Sequence, residues 1–173
     1  MKQLFFFLGM ISLISCGGPK AFYDYDEKMD FEQCQNFSYY SDLKSGLSEL
    51  DEERLVRSLS KSLMDEGYQQ SENSDFRINF YAEFYEEHNN NTIGVGVGSG
   101  GGVVRGGISG GIPIGGTKQF ISLTIEFTNA LNDELFWQAV VESKFNKELS
   151  PQKREEAFLD IAKKALENFP PEK

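Results

Sequence analysis

The sequence predicts an α+β fold, a single domain whose mostly antiparallel sheet of about five strands carries two helices packed on one face. Three observations predict it. Phe76, Ile78, Phe80, Ala82 and Phe84 alternate with Arg77, Asn79, Tyr81, Glu83 and Tyr85, the period-two pattern of a half-buried strand. Leu55, Val56, Leu59, Leu63 and Met64 recur instead at helical spacing. The segments also follow in the order β-β-α-β-(Gly-rich loop)-β-β-α, which segregates helices from antiparallel strands.

Taken in order, Ala21 to Asp26 alternates aromatic and acidic residues and predicts a first strand, and Asn36 to Tyr40 a short second one. Ser48 opens a helix whose first turns carry Glu49, Asp51, Glu52 and Glu53, where the helix dipole favours acids, and Gly67 stops it. The strand from Phe76 follows. Then comes the segment 92–117, where twelve of the chain's 17 glycines lie between Gly94 and Gly116, interleaved with Val95, Val97, Val103, Val104, Ile108, Ile112 and Ile114. Ordering so much glycine costs entropy, so no compact conformation is expected, and the length marks either a mobile loop or a projecting arm. Ile121, Leu123, Ile125 and Phe127 start a hairpin that turns at Asn132-Asp133. Leu135, Trp137, Ala139 and Val141 return as its inward face. Ser150-Pro151 begins the last helix, its stripe is Phe158, Ile161, Ala162, Ala165 and Phe169, and Pro170-Pro171 ends it.

Charge excludes one class of function. The 173 residues hold 17 Lys and Arg against 27 Asp and Glu, a net charge of -10. Phosphate backbones and anionic leaflets repel such a chain, so neither nucleic-acid binding nor attachment to a membrane by a basic patch is expected. Attachment has to come from buried hydrocarbon. Residues 1–15 supply the route: Lys2, then the apolar run Leu4 to Ile14, too short to span a bilayer core of roughly 30 Å, as in a cleavable signal. The run ends in Leu13-Ile14-Ser15-Cys16, which looks like the bacterial lipobox. In proteins with that motif the Cys receives a thioether-linked diacylglycerol and becomes the new N-terminus. Cys16 is thus the expected lipidation site, and its acyl anchor the expected non-protein group in place of any cofactor. A chance Cys after an ordinary signal is the alternative, made improbable by its placement at the end of the run. Residues 16–20 leave only a short tether before a domain at 21–171. Gly17, rather than an acid, after Cys16 suggests the outer membrane by analogy. With Cys16 acylated, Cys34 has no partner and is expected in the core.

The Tyr23 to Asp26 strand followed by Asp30-Phe31, the helix end Leu63 to Tyr68, the Gly-rich insert, Glu134 to Trp137 and Phe169-Pro170-Pro171 follow in an order that resembles a family. It is similar, over nearly all of 21–171, to bacterial envelope lipoproteins catalogued as a domain of unknown function, number 4136 in that series. One departure is Tyr39-Tyr40, where relatives tend to carry Trp. The resemblance implies a fold and an envelope location and lends no catalytic residues.

Motifs for chemistry fare poorly. His88, the single histidine, sits in Glu86 to Asn91 with no H-E-x-x-H or C-x-x-C spacing and no G-x-S-x-G serine, so it reads as a loop residue. Gly96 to Gly101 formally fits G-x-G-x-x-G, but Val103 to Gly107 cannot be the helix that nucleotide binding needs. The acids Asp24, Asp26, Glu27, Asp30 and Glu32 lack calcium-loop spacing and read as solvated. Tyr39, Tyr40, Tyr81, Tyr85 and Trp137 either pack or form an aromatic shelf for a glycan or peptide. The expected function is therefore a non-catalytic, lipid-anchored envelope module that contacts proteins or cell-wall material, with the Gly-rich arm as the candidate docking element. The alternative is a ligand- or glycan-binding lipoprotein with an aromatic cleft on the sheet. A hydrolase using His88 is the least supported reading.

Overall fold

The computed structural model describes residues 18–87, 92–94, 111–113 and 118–171. The signal peptide, Cys16, His88 and most of the Gly-rich segment lie outside the described residues.

Strand β1 (Lys20–Tyr25) is followed by a short 3-10 turn and β2 (Asn36–Tyr39). Helix α1 (Glu49–Asp65), β3 (Gln69–Gln70) and β4 (Phe76–Glu87) come next. After the small strands β5 (Thr92–Gly94) and β6 (Gly111–Pro113), the chain forms β7 (Lys118–Asn129), β8 (Leu135–Lys144) and helix α2 (Pro151–Leu166). The main sheet has six strands in the order β1-β8-β7-β4-β2-β3. It is antiparallel from β1 to β4, and β2 runs parallel to both β4 and β3. The sixth strand is β3, two residues long and too brief to show an alternation. The roots of the Gly-rich segment pair as a separate two-stranded ladder, β5 with β6.

One core lies between sheet and helices. Phe76, Ile78 and Phe80 of β4, Ile121, Leu123, Ile125 and Phe127 of β7, and Trp137, Ala139 and Val141 of β8 are all fully buried. They join Leu55, Leu59 and Leu63 of α1 and Phe158, Ile161, Ala162 and Ala165 of α2 in a single cluster. The two helices therefore cover one face, as the pattern predicts. The helical stripe is narrower than expected: Met64 is 51% exposed, while Ser58 and Ser62 are buried. The leucines sit at i, i+4, i+8; Val56 packs partly buried against the core as expected, and Met64 alone of the stripe turns outward. The two helices pack against each other, and small residues on both, Ser58 and Ser62 on one and Ala162 and Ala165 on the other, are buried.

The β7–β8 hairpin departs from simple alternation at its turn. Phe127 pairs with Trp137 but Thr128 pairs with Leu135, so Phe136 is the extra residue of a bulge. Phe136 is consequently buried and Leu135 half exposed, the reverse of the predicted sides. The displaced ring joins Phe31, Phe76 and Phe127. Phe127 is the hub, its centroid 4.5 Å from Trp137, 4.7 Å from Phe169 and 5.0 Å from Phe76. Asp133 takes φ of 59° in the turn, a conformation that short polar side chains tolerate.

Both helices start where the sequence says. Ser150 accepts from the Lys153 amide at 3.4 Å. Ser48 caps α1 through its carbonyl, while its hydroxyl donates to Asp51 at 2.9 Å. Among the described residues no helix is long and apolar enough to cross a membrane.

Candidate functional site

The sheet's two ends differ in chemistry. At the end where β4 and β8 begin, a cavity of about 540 Å³ opens between Phe31, Cys34, Tyr68 and Pro170. Cys34 is there because the 3-10 turn ends on it, its amide bonded to the Phe31 carbonyl. The thiol is 4% exposed and burial, helped by the charges of Asp75 and Asp30, pushes its pKa up to about 11. Such a thiol is a poor nucleophile near neutrality. Burial likewise pushes the Tyr68 hydroxyl up to about 12, with Cys34 and Glu66 adding to it. Both groups stay protonated near neutrality, and Glu32, Gln35 and Glu66 line the cavity beside the apolar residues.

The aromatic residues expected to form a shelf are divided by the sheet. Trp137 is wholly buried, in van der Waals reach of Phe127 and Phe169. Tyr39 is turned toward α1, where its hydroxyl meets Ser60 Oγ at 2.9 Å and donates to the Val56 carbonyl at 3.2 Å. Burial drives its pKa far upward, the bond to Ser60 opposing. Tyr81 is on the open face, 39% exposed. Tyr85 stacks on Phe120 at 5.4 Å. Tyr40 is spent on the hairpin turn: its hydroxyl donates to Asp133 Oδ1 at 2.8 Å, and Arg77 lies 5.2 Å from its ring. The five do not form one shelf, because two face the core.

Charged residues of the domain are largely tied within the fold. Asp51, buried, pairs with Arg54 at 2.7 Å and with Arg154 of α2 at 3.0 Å. The acids near the N-terminus are exposed, and two make local turns: Asp26 accepts the Lys28 amide and Asp30 that of Glu32. Among the described residues no group of three His, Cys, Asp or Glu is placed to hold a metal ion.

At the opposite end of the sheet a second cavity, also about 540 Å³, is lined by Lys118, Gln119, Lys144, Phe145, Asn146, Lys147 and Glu148. Residue-by-residue reading missed it. Lys118 starts β7, Lys144 ends β8 and Lys147 follows in a loop, so only the antiparallel register joins them. The same register puts the start of β1 there, Lys20 being opposite Glu142. The chain thus enters the fold at the lysine end.

A protein-family model described as a domain of unknown function (DUF4136) matches residues 21–171. No protein of curated function matches the sequence. Among solved structures, a PDZ domain protein from Parabacteroides distasonis is similar at 15% identity and a TM-score of 0.50, over 99% of this chain and 41% of that one. The chain therefore spans about two fifths of that protein, and the likeness speaks for the fold alone. A DUF4136 family protein from Bacteroides thetaiotaomicron aligns at 12% identity, TM-score 0.46, over 86% of this chain and 95% of that chain. A PelC dodecamer from Paraburkholderia phytofirmans aligns at 10% identity, TM-score 0.47, over the same shares of 86% and 95%.

Proposed function

The chain belongs to the DUF4136 family across residues 21–171, and on that premise we propose that it is a lipid-anchored bacterial envelope protein, a non-catalytic interaction module held against the outer membrane by acyl chains on Cys16. The observation that carries this reading is where folding starts. Strand β1 begins at Lys20, so only the few residues 16–19 separate the lipobox Cys from the sheet, a reach of roughly 15 Å when extended. An acylated Cys16 would hold the domain on the bilayer surface rather than on a leash. Two or more acyl chains at about 0.8 kcal/mol per buried methylene anchor stably where charge cannot.

The non-catalytic part is supported by how the reactive groups are used. Cys34 is a core thiol with a raised pKa, and Asp51 is held by two arginines. A glycan cleft is less favoured, because Trp137, the best stacking platform for a sugar, is buried.

Mass spectrometry of the N-terminal peptide from exported protein tests the anchor. A diacylglyceryl thioether on Cys16 is the expected result, with Cys16→Ser moving the protein from membrane to soluble fractions. A free thiol at Cys16, or a mature start beyond it, overturns the reading.

A further inference from the structure

Three lysines of this acidic chain line one cavity. Lys118, Lys144 and Lys147 surround the cavity of about 540 Å³ at the N-terminal end of the sheet, and Glu148 is its one carboxylate. Lys118, Lys144 and Lys147 make no ion pair among the described residues, as is also true of Lys20, Lys28, Lys153 and Lys163, but these three share one cavity. Lys147 lies over a ring, its Nζ 5.9 Å from the Phe84 centroid. Nearby acids are partly engaged, Glu86 accepting from Gln119 at 3.0 Å. Glu87 faces Lys118 across the ladder and Glu142 faces Lys20. All three lysines are exposed and line one cavity, so an anion seated there would be attracted by each of them.

The place of the cavity says which anion. Register puts the entry of the chain at Lys20 on this same sheet end, so a tether of a few residues from Cys16 holds this end, and no other, next to lipid. We propose that the Lys118–Lys144–Lys147 cavity receives the phosphate of an anionic phospholipid headgroup and orients the domain with this end of the sheet on the bilayer. The inference rests on the anchored reading above, and it assigns the lysines orientation, not attachment. A net charge of -10 forbids basic-patch binding from solution, but a tethered cavity meets headgroups at high effective concentration. Phe84, 4.9 Å from Phe145, gives the Lys147 side chain an apolar backing.

The test uses the mature chain 16–173 in a Cys34→Ala background, coupled through the Cys16 thiol to a maleimide lipid in vesicles of phosphatidylglycerol and phosphatidylcholine. This anchor is chemical, so the outcome does not depend on whether cells acylate Cys16, which the mass spectrum decides separately. A benzophenone side chain replaces Asn146 beside the lysines or Asn132 at the far turn, and lipid adducts are counted after illumination. Phosphatidylglycerol adducts are expected mainly at position 146. They should fall by about fivefold or more in the Lys118→Gln/Lys144→Gln/Lys147→Gln variant, since each lysine near an anionic surface adds to the attraction. A Lys28→Gln/Lys153→Gln/Lys163→Gln variant of equal charge should keep them. Equal labelling at both positions, or adducts indifferent to the three lysines, overturns the proposal. So does inorganic phosphate shifting the lysine resonances of the soluble chain while the adducts stay unchanged, which would make the cavity a free-anion site.

Discussion

Arg154 of α2 reaches Asp51 of α1 with its Nη2 3.0 Å from Oδ2, and the carboxylate side chain is only 4% exposed. Asp51 also takes Arg54 at 2.7 Å and the Ser48 hydroxyl at 2.9 Å. One acid thus joins the cap of one helix to the first turn of the other. Arg154 in turn lies 5.2 Å from the Phe145 ring, at the edge of the lysine cavity.

Removing that acid should unlock the helices. Asp51→Ala leaves two guanidinium groups facing each other without their shared carboxylate, and breaking a buried pair from one side costs about 3–5 kcal/mol. Urea denaturation should show a loss in that range. A double Asp51→Leu/Arg154→Met variant should recover much of it, because replacing both members removes the stranded charge. If Asp51→Ala loses less than about 1 kcal/mol, the pair behaves like an exposed one and the buried reading fails.

Gly46 is a second fixed point. Its φ is +70°, and a Cβ there would lie 2.9 Å from the Ala82 carbonyl oxygen of β4. The close approach exists because the Ser45 carbonyl accepts the Ala82 amide at 2.7 Å, clamping the loop before α1 onto the sheet. Gly46→Ala should therefore destabilise by about 1–3 kcal/mol through left-handed strain and contact together. Gly67 also has positive φ but open space around it, so Gly67→Ala should cost less. Thermal melts of the two variants compare them directly.

Alkaline pH should loosen the Cys34 end of the molecule. Burial, which disfavours the thiolate, pushes the Cys34 thiol from its ordinary 9.0 up to about 11 in the folded protein. Above pH about 9 the unfolded chain loses this proton while the folded chain keeps it, so stability is complete below 9 and falls as pH rises toward 11. Tyr68, raised to about 12, extends the loss to higher pH. Cys34→Ala should flatten the decline between pH 9 and 11 without removing its upper part. A thiol reagent at neutral pH should label Cys34 only after denaturation; rapid labelling of native protein contradicts its burial.

Much of this fold is legible in the sequence because each long element repeats its pattern. The odd-numbered inward residues Ile121 to Phe127 and the Leu55-Leu59-Leu63 row both end up buried. What escapes is set by pairing. The bulge that exchanges Phe136 for Leu135 depends on how β7 meets β8, not on either strand alone. The parallel placement of β2 beside β4 needs the α1 crossover, and β3 exists only by pairing with β2. The aromatic shelf dissolves for a related reason: spacing says which residues share a side of one strand, and only the helices say which side is covered. Lys118 and Lys144 meet through antiparallel register across 26 residues of chain, a distance no local motif bridges.

The Gly-rich insert should be dispensable for folding. The β4–β7 ladder runs without a break to Glu87 opposite Lys118, so the pairing is complete before the insert begins. Replacing residues 88–117 with Asn-Gly gives the two strands a two-residue hairpin turn that matches their twist. Closing about thirty residues costs more entropy than closing two, by roughly 2 kcal/mol on the logarithmic law, and the shortened protein should be more stable by about that amount in urea. Its vesicle labelling at position 146 should persist, since all three lysines remain. Crosslinking in cells, with probes at Val97 and Val104 of the intact chain, then identifies what the insert touches. Partners lost from the shortened protein, despite its greater stability, would belong to the arm; recovery of the same partners without residues 88–117 would remove the arm from the protein's interactions.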